Sequence, residues 1–191
     1  MILKSLVLGP YGTNCYIVGA EAGGDGMVID PGDEPKRIIQ AIKDSKLNIK
    51  IIVITHGHGD HIGALEEIKK VTGAKTAIHE ADANDLDKPA DILLKGGESL
   101  TAGNLRFLVI HTPGHSPGGI CLYGHGILFS GDTLFNFSVG RTDLGGSMSQ
   151  LLNGIFTKLL VLPDSTKVYP GHGPATNIGD EKHSNPFLRF R

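Results

Sequence analysis

The stretch ITHGHGDHIGAL, residues 54–65, holds three histidines and one aspartate within six positions, with glycines as the only spacers. His56 and His58 lie two residues apart at the end of an apolar run, so in an extended backbone both rings point to the same side. Asp60 and His61 begin a predicted helix, where adjacent side chains diverge by about a hundred degrees. The stretch therefore predicts a strand, a tight turn and a helix that carry ligands for two neighbouring metal ions.

Gly57 and Gly59 separate these ligands. Glycine has no Cβ and accepts backbone conformations that other residues avoid, so it lets the chain fold tightly around an ion. We expect a side chain at either position to crowd the turn.

Further candidate ligands follow three other apolar runs. His115 lies in HTPGHSPG, Asp132 follows GILFSG, and His172 lies in YPGHGP. Side chains that leave strand ends on loops commonly converge on one site. Five histidines and two aspartates match a pair of divalent ions, and the predicted ligands are His56, His58, Asp60, His61, His115, Asp132 and His172.

Short β-branched runs bounded by glycine dominate the chain and predict strands. Eight such runs are ILKSLVLG, NCYIVG, GMVID, IKIIVITH, LRFLVIHT, GICLYG, GILFSGD and TKVYPG. Apolar residues at helical spacing predict three helices, over residues 34–46, 60–73 and 148–163. Strands interspersed with single helices indicate an α/β fold (α+β in some schemes), and residues 1–191 are predicted to form one domain.

Composition narrows the functional classes. Eighteen basic and twenty acidic residues give a formal net charge of −2, which does not indicate a nucleic-acid-binding surface. No run approaches the ~18 apolar residues of a membrane span, and the first residues predict a strand rather than a signal peptide. Cys15 and Cys121 are far apart in apolar runs, so we expect buried thiols and a cytoplasmic protein.

The predicted ligand set indicates hydrolytic chemistry. Two divalent ions about 3.5 to 4 Å apart can generate a hydroxide near neutral pH and polarise a carbonyl. Four positive charges, less two for the aspartates and one for the hydroxide, leave a net positive site, which favours a small anionic substrate. Nitrogen and carboxylate ligands without thiolate suit zinc, the expected metal, and also iron or manganese.

The spaced set of histidines and aspartates resembles the metallo-β-lactamase superfamily along nearly the whole chain. The resemblance implies a four-layer αββα sandwich with the metals at one edge of the two sheets. It also implies that Asp132 bridges two ions, one held by His56, His58 and His115 and the other by Asp60, His61 and His172. Asp30 matches a family position that orients the first histidines, although a role as a turn residue is equally open.

Within that superfamily, the segments GDTLFNFSVGRTD and YPGHGPATNIGDEKHSNPF are similar to the glyoxalase II group, the hydroxyacylglutathione hydrolases. The resemblance implies a thioesterase in which a bridging hydroxide attacks, with Asp60 and Asp132 as catalytic residues. Because the chain stops soon after His172, we expect it to lack the C-terminal helical domain of longer members, so recognition of glutathione stays open. Arg141 is a candidate for binding a substrate carboxylate, with an ion pair to Asp143 as the alternative.

Other functions remain open. Persulfide dioxygenases share these motifs and use one iron, for which the ligands here would be His56, His115 and Asp132. A lactonase or another ester hydrolase, a β-lactamase and a protein that only binds metal are further alternatives. Four histidines match no ligand position, and we interpret them as surface or packing residues: His79, His111, His125 and His183.

Overall fold

Two six-stranded β-sheets form the centre of the computed structural model, which describes residues 1–189. The last two positions of the predicted domain, 190 and 191, lie outside the described residues. The first sheet contains, in both chain and spatial order, β1 (Ile2–Leu8), β2 (Thr13–Gly19), β3 (Asp25–Ile29), β4 (Asn48–Val53), β5 (Lys75–His79) and β6 (Ile92–Leu94).

The second half of the chain supplies the other sheet and a small hairpin. Its strands are β7 (Ser99–Ala102), β8 (Leu105–His111), β9 (Ile120–Gly124), β10 (Ile127–Gly131), the hairpin strands β11 (Leu134–Phe135) and β12 (Ser138–Val139), β13 (Lys167–Pro170) and β14 (Thr176–Asn177). The spatial order of this second sheet is β14-β13-β10-β9-β8-β7.

Within residues 1–189, five α-helices accompany the sheets. They are α1 (Pro35–Ser45), α2 (Gly59–Ile62), α3 (Leu65–Thr72), α4 (Met148–Gly154), which continues into a π-helical turn (Ile155–Leu159), and α5 (Ile178–Ser184). Short 3₁₀ segments cover Glu80–Asp85 and Pro186–Leu188. None of the helices within residues 1–189 combines the length and the apolar character needed to cross a bilayer.

Each sheet buries apolar side chains on both of its faces, which divides the apolar core into three layers. In β2, Tyr16 and Val18 face the second sheet, whereas Cys15 and Ile17 pack against α1 and α3 on the outer side. The outer face of the second sheet packs in the same way against α4 and α5. Alternation along a strand therefore gives two inner and two outer apolar surfaces. The predicted αββα sandwich is confirmed.

Most predicted elements are present, with instructive differences. All eight predicted strands form, and both cysteines are buried free thiols as expected. The helix predicted over 60–73 is two helices, α2 and α3, because Ala64 between them leaves the helical conformation with ψ near 1°. The prediction missed β5, β7 and α5, whose sequences are short and mix polar with apolar residues, and β6, an apolar strand of only three residues.

The strand directions bring the candidate ligands to one edge. Within the first sheet β3 and β4 are parallel, and within the second β8 and β10 both run antiparallel to β9, while β13 is parallel to β10. The carboxyl ends of these strands therefore point the same way in each sheet. The residues that follow them are Asp30, His56, His115, Asp132 and His172.

Main-chain hydrogen bonds join the two sheets at this edge. The Ile120 N–H donates to the Thr55 carbonyl at 2.9 Å, and the Asn14 N–H donates to the Gly171 carbonyl at 2.7 Å. These bonds fix the loops of one sheet against those of the other, so side chains from both halves of the chain can share one site.

The layer between the sheets makes a testable contribution to stability. Phe107 in β8 is fully buried there, whereas its neighbour Leu108 is 40% exposed on the opposite face. We expect Phe107→Ala to lower the free energy of unfolding by about 3–5 kcal/mol through lost burial and a cavity. The matched Leu108→Ala change should stay within about 1 kcal/mol. Guanidinium unfolding measures both, and equal losses would contradict this layering.

Candidate metal centre

Three histidine nitrogens from both sheets converge to form a first ligand group. The Nε2 atom of His56 lies 3.0 Å from Nδ1 of His58, and Nε2 of His115 lies 3.2 Å and 2.9 Å from these two atoms. His56 and His115 are buried, whereas His58 is partly exposed. The expected convergence of the two histidines that flank Gly57 is present, and this group can hold one cation.

A second ligand group lies beside the first. His61 Nε2 is 3.3 Å from His172 Nε2, and the Asp60 Oδ2 atom lies 3.2 Å from His172 Nε2 and 3.6 Å from His61 Nε2. The Thr13 hydroxyl donates to the same Asp60 oxygen at 2.8 Å. These three ligand residues likewise lie close enough together to hold a cation.

Asp132 lies between the two groups. One carboxylate oxygen, Oδ2, is 3.5 Å from Nε2 of both His115 and His172, and the other, Oδ1, is 3.5 Å from His61 Nε2. The Oδ1 atom is buried and has no hydrogen-bond partner among the described residues. A buried carboxylate oxygen without a partner, facing inward imidazole nitrogens, is the pattern expected of groups that bind metal ions. The residues therefore fit a pair of divalent cations.

The hydrogen bonds made by the outward ring nitrogens identify which nitrogen of each histidine is free to bind a metal ion. His61 Nδ1 donates to Asp30 Oδ2 at 3.0 Å, so its Nε2 carries the inward lone pair when the ring is neutral. The Thr55 hydroxyl donates to the same Asp30 oxygen at 2.7 Å and can accept from His56 Nδ1 at 3.2 Å. Hydrogen bonds of this kind set the tautomer and orientation of metal-binding histidines.

Main-chain carbonyls do the same for the rings of His115 and His172. His115 Nδ1 donates to the Arg141 carbonyl at 2.8 Å, and His172 Nδ1 donates to the Tyr11 carbonyl at 3.1 Å. Both rings therefore present Nε2 to the site. The sequence indicated the histidines but not these partners, since a carbonyl acceptor leaves no trace in residue type.

Asp30 is placed where its predicted orienting role is possible. Its carboxylate is buried and accepts hydrogen bonds from the Thr55 amide, the Thr55 hydroxyl and His61. Its φ is 50°, a left-handed conformation that is uncommon outside glycine and clusters at functional sites. Thr55 and Thr13 are the neighbours that sequence reasoning missed.

Burial and neighbouring charges shift the pKa values of the histidines in opposite directions. Burial, helped by the surrounding histidines, lowers the pKa of His56 well below its usual range, and burial also lowers that of His58. Burial opposes a charge on His61 as well, but the nearby carboxylates, Asp30 above all, outweigh it and raise the pKa of His61 to about 9.

The two ligand carboxylates are shifted in opposite directions. The hydrogen bond with His172 holds the pKa of Asp60 far below its usual range, assisted by His61 and Thr13. Burial raises the pKa of Asp132, and the histidines around it counteract this only in part. Asp60 is thus firmly ionised, whereas Asp132 depends on nearby positive charge to remain so.

The glycine prediction holds at one position and is wrong at the other. A Cβ at Gly57 would lie 2.3 Å from Asp85 Oδ2, so glycine is required there. Gly59 has no positive φ and nothing within 4 Å of a Cβ, so the protein does not require glycine at that position. A closer constraint is at Gly171, where a Cβ would lie 2.1 Å from Asp132 Oδ1.

The remaining candidates lie outside the ligand groups. The exposed Arg141 guanidinium makes two hydrogen bonds to Asp143, at 2.7 and 2.6 Å, which is the ion pair considered as the alternative to substrate binding. Among the described residues, four histidines contribute to none of the ligand groups: His79, which stacks on His111 with ring centroids 3.9 Å apart, His111, His125 and His183.

Comparison with known proteins gives matches over almost the full chain. The profile of the Metallo-beta-lactamase superfamily matches residues 8–172. The probable metallo-hydrolase YqgX of Bacillus subtilis is 37% identical over 205 residues, covering 97% of this chain and 96% of that protein. Hydroxyacylglutathione hydrolase GloC of Haemophilus influenzae is 35% identical over 203 residues, covering 93% of each.

Solved structures match equally well. BLEG-1, a B3 metallo-beta-lactamase, has a TM-score of 0.94 and 39% identity, covering 98% of this chain and all of that one. ETHE1 from Myxococcus xanthus has a TM-score of 0.90 and 33% identity, covering 97% of this chain and 84% of that one. TTHA1623 in a di-iron-bound form has a TM-score of 0.85 and 36% identity, covering 97% of this chain and 100% of that one.

The raised pKa of His61 predicts that metal binding depends on pH. Below about pH 9 the ring carries a second proton, which must leave Nε2 before that atom can hold an ion. For each proton that metal binding releases, the apparent affinity for the metal falls about tenfold when the pH falls by one unit. Calorimetric titration with Zn²⁺ in buffers of different ionisation enthalpy measures the release. Affinity that does not change between mildly alkaline and mildly acidic pH would contradict the prediction.

Proposed function

Because this chain belongs to the metallo-beta-lactamase superfamily, we propose that it is a metal-dependent hydrolase that cleaves thioesters, with hydroxyacylglutathiones as candidate substrates. The observation that carries the proposal is the position of Asp132, whose two oxygens face both ligand groups. A carboxylate in this position can be shared by two ions.

We assign one divalent cation to His56, His58 and His115, and the other to Asp60, His61 and His172, with Asp132 between them. The inward lone pairs and the unpartnered Asp132 Oδ1 support this assignment. Two divalent cations bound there supply a hydroxide near neutral pH and polarise the scissile carbonyl. Zinc is the proposed metal, and the di-iron form of TTHA1623 makes iron the first alternative, ahead of manganese.

Asp60 is suited to orient the nucleophile. Its strongly lowered pKa makes it a weak base, so it accepts a hydrogen bond from an attacking hydroxide better than it stores a proton. Thr13 fixes the same carboxylate oxygen through its hydroxyl. The thiolate that leaves a thioester needs little protonation, so the chain needs no strong general acid beside the site.

The charge of the site favours a small anionic substrate. With two cations bound, the net positive site would attract an anionic thioester or ester. Arg141 remains the proposed contact for a substrate carboxylate, since an exposed ion pair such as that with Asp143 is weak and readily exchanged.

A persulfide dioxygenase is the second candidate, favoured by the similarity to ETHE1. In that case one iron would be held by His56, His115 and Asp132. Metal analysis of the purified protein, with assays of lactoylglutathione hydrolysis and of oxygen uptake with glutathione persulfide, separates the two. Two metals and thioester cleavage support the hydrolase, and one iron with oxygen consumption overturns it. A lactone and a β-lactam, tested in parallel, check the remaining hydrolase specificities.

Replacement of the shared carboxylate tests the dinuclear proposal directly. We expect Asp132→Ala to lose the second metal and to lower kcat by at least about 100-fold, because a charge-stabilising group is removed from the reacting centre. The matched surface change Asp164→Ala, which removes only an ion pair with Lys182, should keep two metals and full activity. Full activity in Asp132→Ala would exclude a bridged pair.

A further inference from the structure

A buried carboxylate outside the ligand groups joins the two loops that form the first of them. We infer that Asp82 is a positioning residue for the group formed by His56, His58 and His115, and that it sets the metal affinity of this group selectively. The inference rests on the proposed metal-binding function. It concerns one group of ligands and not the other.

Asp82 lies in the 3₁₀ segment Glu80–Asp85 and is 1% exposed. Its Oδ2 atom accepts the Gly57 N–H at 3.2 Å, and its Oδ1 atom accepts the Gly118 N–H at 2.6 Å. Burial of an ionised carboxylate is costly unless hydrogen bonds compensate, and bonds to a charged acceptor are stronger than neutral ones. The two amides supply that compensation.

The positions of the two amides give Asp82 its significance. Gly57 lies between His56 and His58, and Gly118 lies in the loop that carries His115. The first loop follows a strand of one sheet and the second follows a strand of the other. Together with the main-chain bond from Ile120 to Thr55, this carboxylate sets the separation between the histidine pair and the third histidine, whose Nε2 lies within 3.2 Å of both partners.

Close packing makes this arrangement specific. A Cβ at Gly118 would lie 2.6 Å from Cγ of Asp82, and one at Gly57 would lie 2.3 Å from Oδ2 of Asp85. Both loops thus lie directly against the 3₁₀ segment, and a small displacement of Asp82 must displace one or both amides.

The second ligand group is held by a different residue. Asn14 is buried and donates from Nδ2 to the carbonyls of Pro170 and Gly173, both at 2.9 Å. These carbonyls flank His172. Since the loop of His172 has its own attachment, loss of the Asp82 bonds should leave the second group intact.

Asp82→Asn tests the inference with almost no change in side-chain volume. The amide nitrogen of asparagine must face one of the two N–H groups, so one bond is lost. Asp85→Asn is the matched control: it removes the same charge from the same segment, but Asp85 is exposed and accepts no hydrogen bond from either loop. Comparison of the two variants separates hydrogen bonding from charge.

Each change is placed in two backgrounds, one that lacks a ligand of the second group and one that lacks a ligand of the first. His172→Ala leaves the first group complete, and His58→Ala leaves the second. Titration with Co²⁺, followed by visible absorption, gives the affinity, and thermal unfolding in chelator gives the stability of each variant. We expect Asp82→Asn to weaken Co²⁺ binding by about 10- to 100-fold in the His172→Ala background, the usual effect of losing a group that orients ligands. In the His58→Ala background the affinity should be unchanged.

The outcomes distinguish this inference from the proposed function. Equal losses in both backgrounds, equal effects of Asp82→Asn and Asp85→Asn, or no effect of Asp82→Asn would each overturn the inference. If the parent protein binds no Co²⁺, the proposed function itself fails. A positioning role is supported if the Asp82→Asn variant unfolds at the same midpoint as the parent in chelator, yet binds Co²⁺ more weakly in the first group alone.

Discussion

The buried carboxylate of Asp30 is the constraint on which the site depends. It accepts the amide and hydroxyl of Thr55 at 2.7 Å each and His61 Nδ1 at 3.0 Å. Through Thr55 it orients His56, which belongs to one ligand group, and directly it orients His61, which belongs to the other. Because a buried acceptor must be satisfied, the turn that carries these residues has little freedom to rearrange. The hydrogen bonds that its carboxylate accepts hold Asp30 in place, so its left-handed backbone conformation is tolerated.

The fold was predictable wherever a strand is a nearly continuous apolar run. Strands such as β2 and β10 are apolar on both faces, and glycine ends each run. β5 and β7 carry lysine, serine or threonine among few apolar residues, and take their conformation from their neighbours in the sheet. Helix α2 ends at Ile62 with Gly63 as its C-cap, so this glycine was the local signal that the prediction of a single helix passed over.

The convergence of the candidate ligands was predictable, whereas the residues that support them were not. The seven candidate ligand residues are chemically conspicuous and follow strand ends. Thr55, Asn14 and Asp82 act through hydrogen bonds to main-chain groups or to other side chains, and each has partners at least 25 positions away in the chain. Residue type alone does not distinguish such a threonine or aspartate from one in a turn. Arg141 is the opposite case. Its residue type made it a candidate for binding a substrate carboxylate, but its guanidinium is paired with Asp143 two positions away.

Each ligand group combines residues from both halves of the chain. His56 and His58 follow a strand of the first sheet, and His115 follows one of the second; Asp60 and His61 meet His172 in the same way. Neither half of the molecule therefore contains a complete group. An ion bound by such a group acts as a reversible cross-link between the halves, favouring the native state by mass action because the unfolded chain cannot assemble its ligands. Metal supply would then govern the lifetime of the folded protein as well as its chemistry.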